Sequence, residues 1–182
     1  PVHEAVLRAL PPERLAALLA SVLSQKHVIE EFVWTVQQRR PDLLLAWLRA
    51  QSESSLQETG GRVSPKLWKL LRNVGTADPA VAAVLERMDT RIRVQAIKGN
   101  TMGRLPPPEL SGGEPRPGWS VYEVENGTAE TLTVLLDGPD ALQRAIPAGL
   151  SASLEVPSGA YSAYVTVSRK NVIPFSGNFT LR

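Results

Sequence analysis

The chain has 182 residues, of which 43% are hydrophobic and 21% charged, and its formal net charge at neutral pH is +2. These values are typical of a folded globular protein and exclude a disordered or collagen-like chain. The absence of cysteine excludes disulfides, thiolate metal sites and a cysteine nucleophile. The longest apolar run, residues 15–23, is too short to span a bilayer, so we expect no transmembrane segment.

Residues 1–98 carry apolar side chains at helical spacing, with proline and glycine between the segments. The longest stripe covers residues 12–40, and the next segment is expected to stop at Gly60 and Gly61. Ser64 and Asp78 each precede a proline, which is typical of a helix start. Five helices with short links predict a helical bundle. The predicted helices begin at about residues 2, 12, 41, 64 and 78.

Residues 99–118 hold five prolines and five glycines, which neither a helix nor a central strand accommodates. This composition predicts a linker between two domains. After it, apolar residues alternate with small polar ones, and turn signals recur about every ten residues. Leu154, Val156, Tyr161, Ala163, Val165 and Val167 are expected to point inward. Six such segments predict a small antiparallel β-sandwich. The predicted fold is therefore α+β in two domains, a bundle over 1–98 and a sandwich over 119–182.

The C-terminal stretch also resembles a known family. "IPAGLSASLEVPSGAYSAYVTV", followed by "VIPFSGNFTL", is similar to the PEGA-like β-sandwich modules of bacterial surface and envelope proteins. Those modules carry Gly-x-Tyr at the entry of a strand and a Pro-Gly turn one hairpin earlier. The resemblance covers about the last sixty-five residues and implies a non-catalytic module of an envelope-facing or periplasmic protein. Arginine outnumbers lysine by 15 to 5, which we interpret as the mark of a GC-rich bacterial genome.

Candidate catalytic and metal-binding residues are few. His27, Glu30 and Glu31 share one helical side, but a metal site also needs ligands from other helices, and His3 is the only other histidine. No Gly-x-Ser-x-Gly or phosphate-loop motif occurs. Glu123 and Glu125 alternate along one strand and are expected to face solvent. We therefore predict no enzyme activity, no metal and no cofactor.

Basic residues concentrate over residues 61–98, where eight of them accompany three acidic residues. Arg87, Arg91 and Lys98 share one face of the last helix, and Lys66 and Lys69 flank a tryptophan. Such a face attracts phosphates, anionic lipid or an acidic protein, whereas a solvated helix surface is the simpler interpretation. The candidate residues for an anionic partner are Arg62, Lys66, Lys69, Arg72, Arg87, Arg91 and Lys98.

Trp34, Trp47 and Trp68 lie on or beside apolar stripes and are expected to pack between helices. The pattern as a whole predicts a protein-interaction or scaffold module at the bacterial cell envelope, with another protein as its partner. The alternative is a cytoplasmic regulatory protein that binds nucleic acid or an acidic partner through the arginine-rich helical face. Salt-sensitive binding would favour the alternative.

Overall fold

The computed structural model describes residues 5, 9–25, 29–109, 116–169 and 172–182. The chain divides into two compact units, which we call the helical unit (Pro1–Asp89) and the β unit (Thr90–Arg182). Helices come first along the chain and strands follow, which confirms the predicted α+β layout. Within the described ranges, no helix combines the length and the apolar character that a membrane span requires.

Six helices occur in the described part of the chain, and proline opens four of them, as expected from its fixed φ and missing N–H. The helix predicted over residues 2–10 falls largely outside the described residues. The helices are Pro12–Ser24 (α1), Glu30–Arg39 (α2), Pro41–Ala50 (α3), Glu53–Arg62 (α4), Pro65–Gly75 (α5) and Pro79–Lys98 (α6).

Two predicted helix starts are confirmed by their capping bonds. The hydroxyl of Ser64 accepts a hydrogen bond of 3.2 Å from the Leu67 N–H at the start of α5. The carboxylate of Asp78 accepts one of 3.3 Å from the Val81 N–H at the start of α6. Both bonds satisfy N–H groups that have no partner within their own helix.

Two predicted helix boundaries are wrong. The stripe over residues 12–40 forms two helices, α1 and α2, because the chain becomes extended at Gln25. The expected stop at Gly60 and Gly61 does not occur, since α4 runs through both glycines to Arg62. The preceding helix instead ends at Ala50, and α4 begins after Ser52, whose hydroxyl caps it. Glycine lowers helix stability by only about 1 kcal/mol, which packing around a buried last turn can outweigh.

The core of the helical unit is built from one buried stripe on each helix. The helices α5 and α6 approach closely at Gly75, where a Cβ atom would overlap the buried side chain of Leu85. A larger residue at position 75 would displace the side chain of Leu85, so glycine allows this close approach of α5 and α6. The largest fully buried side chains of this unit are Leu15, Leu19, Leu23, Leu44, Leu48, Leu56, Leu67, Leu71, Leu85 and Met88.

The described part of the β unit holds seven strands in two sheets. One sheet has five strands in the order β1-β7-β6-β3-β4, and the other is a two-stranded antiparallel ribbon of β2 and β5. All pairs are antiparallel except β1 with β7. The strands are Gly103–Arg104 (β1), Trp119–Glu125 (β2), Leu132–Asp137 (β3), Ala141–Ile146 (β4), Ser151–Pro157 (β5), Gly159–Val167 (β6) and Phe175–Leu181 (β7).

The ribbon and the five-stranded sheet share one hydrophobic core. Leu154 and Val156 of β5 are buried there with Tyr161 and Ala163 of β6, as the alternating pattern predicts. Val165 and Val167, also predicted to point inward, are partly buried against the same core. The period-two pattern after residue 118 therefore identified the buried side of these strands.

The Gly-x-Tyr motif stands at the start of β6. Gly159 has a φ of +153°, and a Cβ atom at this position would lie 2.6 Å from the ring of Pro139. Two residues later the Tyr161 hydroxyl donates a hydrogen bond of 2.9 Å to the Pro157 carbonyl. Burial raises the pKa of Tyr161 above its usual value.

The end of α6 belongs to the β unit. Val94 of α6 is fully buried against Leu135 of β3 and Tyr164 of β6, and Ile97 and Met102 pack around them. Leu135 alternates with the residues that enter the shared core, so this contact is on the opposite side of β3. The division between the two compact units lies inside α6, between residues 89 and 90, and the predicted linker begins at residue 99.

Part of the predicted linker is a strand. The Gly103 N–H donates a hydrogen bond to the Pro174 carbonyl, and the Leu105 N–H donates one to the Ser176 carbonyl, both 2.8 Å long. Glycine fits at position 103 because the ring of Phe175 lies where a Cβ atom would be. Residues 110–115 of the predicted linker lie outside the described residues.

Candidate functional site

A groove of about 650 Å³ lies on the helical unit between α2, α3 and α5. Trp34 and Gln37 line it from α2, Leu45 from α3, and Leu70 and Val74 from α5. Its lining is mostly aliphatic and aromatic carbon. Its volume is within the range of ligand-binding sites in proteins, about 300–1,000 Å³.

A one-residue corner between α2 and α3 shapes one side of the groove. Arg40 adopts a φ of −143° and a ψ of 59°, and Pro41 begins α3 immediately afterwards. The Arg40 guanidinium donates hydrogen bonds of 3.0 and 2.9 Å to the two carboxylate oxygens of Asp42. These bonds hold the pKa of Asp42 below its usual value, so its carboxylate stays ionised and paired.

The third helix that lines the groove is α5, which is apolar on more than one side. Leu67 and Leu71 are fully buried in the core of the unit. Leu70, which is 6% exposed, and the half-buried Val74 line the groove. A helix with an apolar surface wider than one stripe is expected to contact more than one neighbour. This width, in the sequence "KLWKLLRNVG", is a signal that α5 has a second apolar contact, but it does not locate a groove.

Two lysines border the groove on α5. Lys66 and Lys69 are exposed, and both line it together with Asn73. Throughout the described residues, neither ammonium group lies within ion-pair distance of a carboxylate. The groove therefore has an apolar lining and a positively charged border along α5.

Seven residues were predicted to meet an anionic partner. Besides Lys66 and Lys69, three of them lie in the helical unit, and each of these three contacts another residue of the chain. The Arg62 guanidinium donates a hydrogen bond of 2.8 Å to the Ser24 carbonyl at the end of α1. Arg72 lies 3.0 Å from a carboxylate oxygen of Asp89, and Arg87 pairs with Glu53. These contacts give the three arginines structural roles between helices.

The remaining two residues of that set are in the β unit. Arg91 and Lys98, both on α6, lie 3.9 and 3.7 Å from the two carboxylate oxygens of Asp137 at the end of β3. Both cations therefore lie near the same carboxylate at the end of β3. Lys66 and Lys69 are consequently the two members of the predicted set that border the groove, and an anionic partner for them stays a prediction.

The tryptophans differ in environment. Trp68 is 6% exposed and packs in the core, as predicted. Trp34 was also expected to pack between helices, but its side chain is 40% exposed and lines the groove. The prediction failed because Trp34 lies beside the buried stripe of α2, next to Val33, and not within it.

His3 and His27 lie outside the described residues, so of the group His27, Glu30 and Glu31, only the two acidic residues are described. The Glu30 carboxylate accepts a hydrogen bond of 3.2 Å from the Ser64 N–H, which ties α2 to the start of α5. In the described ranges, no three histidine, aspartate or glutamate side chains converge as metal ligands would.

The strand acids Glu123 and Glu125 are exposed on the ribbon, away from the shared core. On the same side, Arg116 pairs with Glu155 at 2.8 Å and stacks 3.6 Å above the centre of the Trp119 ring. This surface combines exposed acidic groups with an ion pair and a cation–π contact, which is typical of a solvated sheet face.

Comparisons with protein-family models, with curated proteins and with solved structures find no similar family, protein or fold. The resemblance of the C-terminal stretch to PEGA-like modules therefore stays a prediction. The geometry of the groove is the observation from which a function can be argued.

Proposed function

We propose that this chain is a non-catalytic interaction module whose helical unit binds a segment of another protein in the groove between α2, α3 and α5. The observation that carries this proposal is the groove itself, with the indole of Trp34 40% exposed in its wall. Removal of such apolar surface from water is favourable by about 25 cal/mol per Å², and this gain opposes the entropic cost of association. Exposed aromatic surface inside a concave site is typical of places where proteins bind partners.

A polypeptide fits the lining of the groove better than a strongly polar ligand. Leu45, Leu70 and Val74 offer dispersion contacts and no hydrogen bonds, which suits aliphatic side chains. The polar groups beside them are the ammonium groups of Lys66 and Lys69, the amides of Gln37 and Asn73, and the Asp42 carboxylate, which is paired with Arg40. Grooves between helices commonly receive an amphipathic helix in this way.

Site-specific crosslinking in the producing cell tests the proposal. A photoreactive residue replaces Ala77, which lines the groove, or Ala46, an exposed alanine of α3 outside that lining. We expect a discrete crosslinked protein at position 77 and not at position 46. Equal labelling from both positions, or none from position 77, would contradict the proposal.

We propose a cell-envelope location for the module, supported by the resemblance of its C-terminal stretch to envelope modules. Fractionation of the producing cell tests this, and recovery only in the cytosol would overturn it. The alternative function, a cytoplasmic regulator that binds nucleic acid through the arginine-rich face, predicts binding that weakens steeply with salt. Five of the seven residues of that face have contacts within the chain, so the groove is the better-supported site.

A further inference from the structure

The charged groups around the groove are distributed unequally. Along α5, Lys66 and Lys69 present two ammonium groups that no carboxylate of the described chain approaches. Along α3, the single charged group of the lining is Asp42, and the two hydrogen bonds from Arg40 compensate its charge. A ligand in the groove therefore meets positive charge on one side only.

We propose that the ligand is an amphipathic helix whose apolar stripe is bordered by aspartate or glutamate on the side that faces α5. The inference rests on the proposed function and adds the charge pattern of the partner. Acidic residues there compensate Lys66 and Lys69, whereas basic residues there add like charge. Such complementarity sets the register and orientation of a partner more than its affinity.

The spacing of the lysines suits a helix. Lys66 and Lys69 are three residues apart on α5, a rise of about 4.5 Å along the helix axis. Acidic side chains three or four residues apart on a partner helix have nearly the same spacing. Asn73, one turn further along α5, can donate or accept a hydrogen bond and so continues the polar border.

The apolar part of the groove is suited to the other face of that helix. Trp34 of α2 and Leu45 of α3 line the groove together with Leu70 and Val74 of α5, so aliphatic side chains in the groove contact carbon from three helices. A free phosphate or a nucleic-acid backbone would engage the lysines and leave this apolar surface in water. The combination of lining and border therefore favours an acidic amphipathic helix over a polyanion.

A selection of helical peptides tests the inference. A displayed library with a fixed leucine stripe and random flanking positions is selected on the wild-type protein. We expect the bound peptides to be enriched in aspartate and glutamate on one flank. A peptide with the selected sequence is then titrated against wild type, against Lys66→Gln/Lys69→Gln and against Leu45→Glu.

We expect the double lysine variant to bind about tenfold more weakly, as removal of two rim ion pairs predicts. The control is Arg14→Gln/Arg182→Gln, which changes two exposed cations elsewhere and matches the change in net charge. The control is expected to bind like wild type. An equal loss in the control would overturn the inference, because the effect would then be diffuse attraction.

Two other outcomes separate this inference from the proposed function. If peptides without acidic flanks are selected and Leu45→Glu abolishes their binding, the charge pattern is wrong while the groove remains a binding site. If no selected peptide depends on Leu45, both the inference and the proposed function fail. Dodecanoate is titrated in parallel, and saturable binding of this fatty acid with no selected helix would likewise overturn both.

Discussion

The indole Nε1 of Trp68 donates a hydrogen bond of 2.9 Å to the buried carboxylate of Asp89, which joins α5 to α6. The other carboxylate oxygen lies 3.0 Å from the Arg72 guanidinium. A buried carboxylate with two such partners is stabilising only as a set, because removal of one member leaves the others desolvated and unpaired.

Asp89→Ala is expected to lower the free energy of unfolding by about 2–4 kcal/mol, since it leaves the Trp68 N–H and Arg72 without this partner. Urea denaturation followed by far-UV circular dichroism measures the change. The control is Asp42→Ala, which breaks an exposed ion pair with Arg40 and is expected to cost at most about 1 kcal/mol. Equal effects of the two substitutions would show that the Asp89 contacts do not stabilise the helical unit.

The contacts of Asp78 predict that the stability of the fold depends on pH. The hydrogen bond from the Arg49 side chain, 2.7 Å long, is the main cause that holds the pKa of Asp78 below its usual value, with help from the Val81 N–H. Because the pKa is lowered in the folded state, the carboxylate stabilises the fold at pH values above the pKa of aspartate in the unfolded chain, about 4. That contribution is lost as the pH falls through the lower pKa of the folded state.

Asp78→Asn tests this dependence, because asparagine keeps the helix cap and removes the charge. The urea midpoint of the variant is expected to be lower than that of wild type at about pH 6 and to approach it at about pH 2–3. Arg49→Gln should show the same convergence, since it removes the main cause of the shift. A difference that is constant with pH would contradict the assignment.

Asn126 is a fully buried polar side chain that holds together several turns of the β unit. Its amide donates to the carbonyls of Glu130, Ile146 and Pro147 at 2.8–3.0 Å, and its oxygen accepts from Thr128. Asn126→Asp would place a carboxylate against three carbonyl oxygens. We expect the free energy of unfolding to fall by about 3 kcal/mol.

Hydrogen exchange of the strands around Asn126, with the helices as internal reference, measures this effect. The control substitution is Asn178→Asp, an exposed residue of β7 that accepts one hydrogen bond from Ser162. It is expected to leave exchange in the strands unchanged. Unaltered protection in Asn126→Asp would show that the network does not stabilise the unit.

The contact of Val94 with Leu135 and Tyr164 predicts where the β unit begins. A fragment of residues 90–182 is expected to be more stable than a fragment of residues 99–182 by about 2–4 kcal/mol, because the shorter one exposes this apolar face. Denaturation of both fragments is the measurement. Equal stability would place the start of the unit after α6.

The sequence predicted local structure better than packing between segments. Ser64 and Asp78 marked helix starts because capping is a local interaction, and alternation identified the buried side of β5 and β6. The prediction that a helix ends at Gly60 was wrong, because the burial of that turn depends on residues that are distant in sequence. The predicted bundle and sandwich remain interpretations of how the layers pack.

The groove could not be predicted for the same reason. Leu70 and Val74 belong to the apolar surface of α5, and only the positions of α2 and α3 determine that they border a cavity. Likewise, the basic residues were predicted as one face, but Arg72 and Arg87 have carboxylate partners that lie far away in sequence. Helical spacing shows which side chains share a face of a helix. It does not show which residues from other parts of the chain contact that face.

Calorimetry tests most directly whether the groove is the binding site: the partner identified by crosslinking at position 77 is titrated with purified wild type and with Leu45→Glu. The Leu45→Glu substitution would place a charge against apolar surface, so we expect at least about tenfold weaker binding with an unchanged unfolding midpoint. Ala46→Glu, one residue along α3 and outside the groove lining, is the matched control and should bind like wild type. Equal affinity of wild type and Leu45→Glu would contradict the claim that the groove is the binding site.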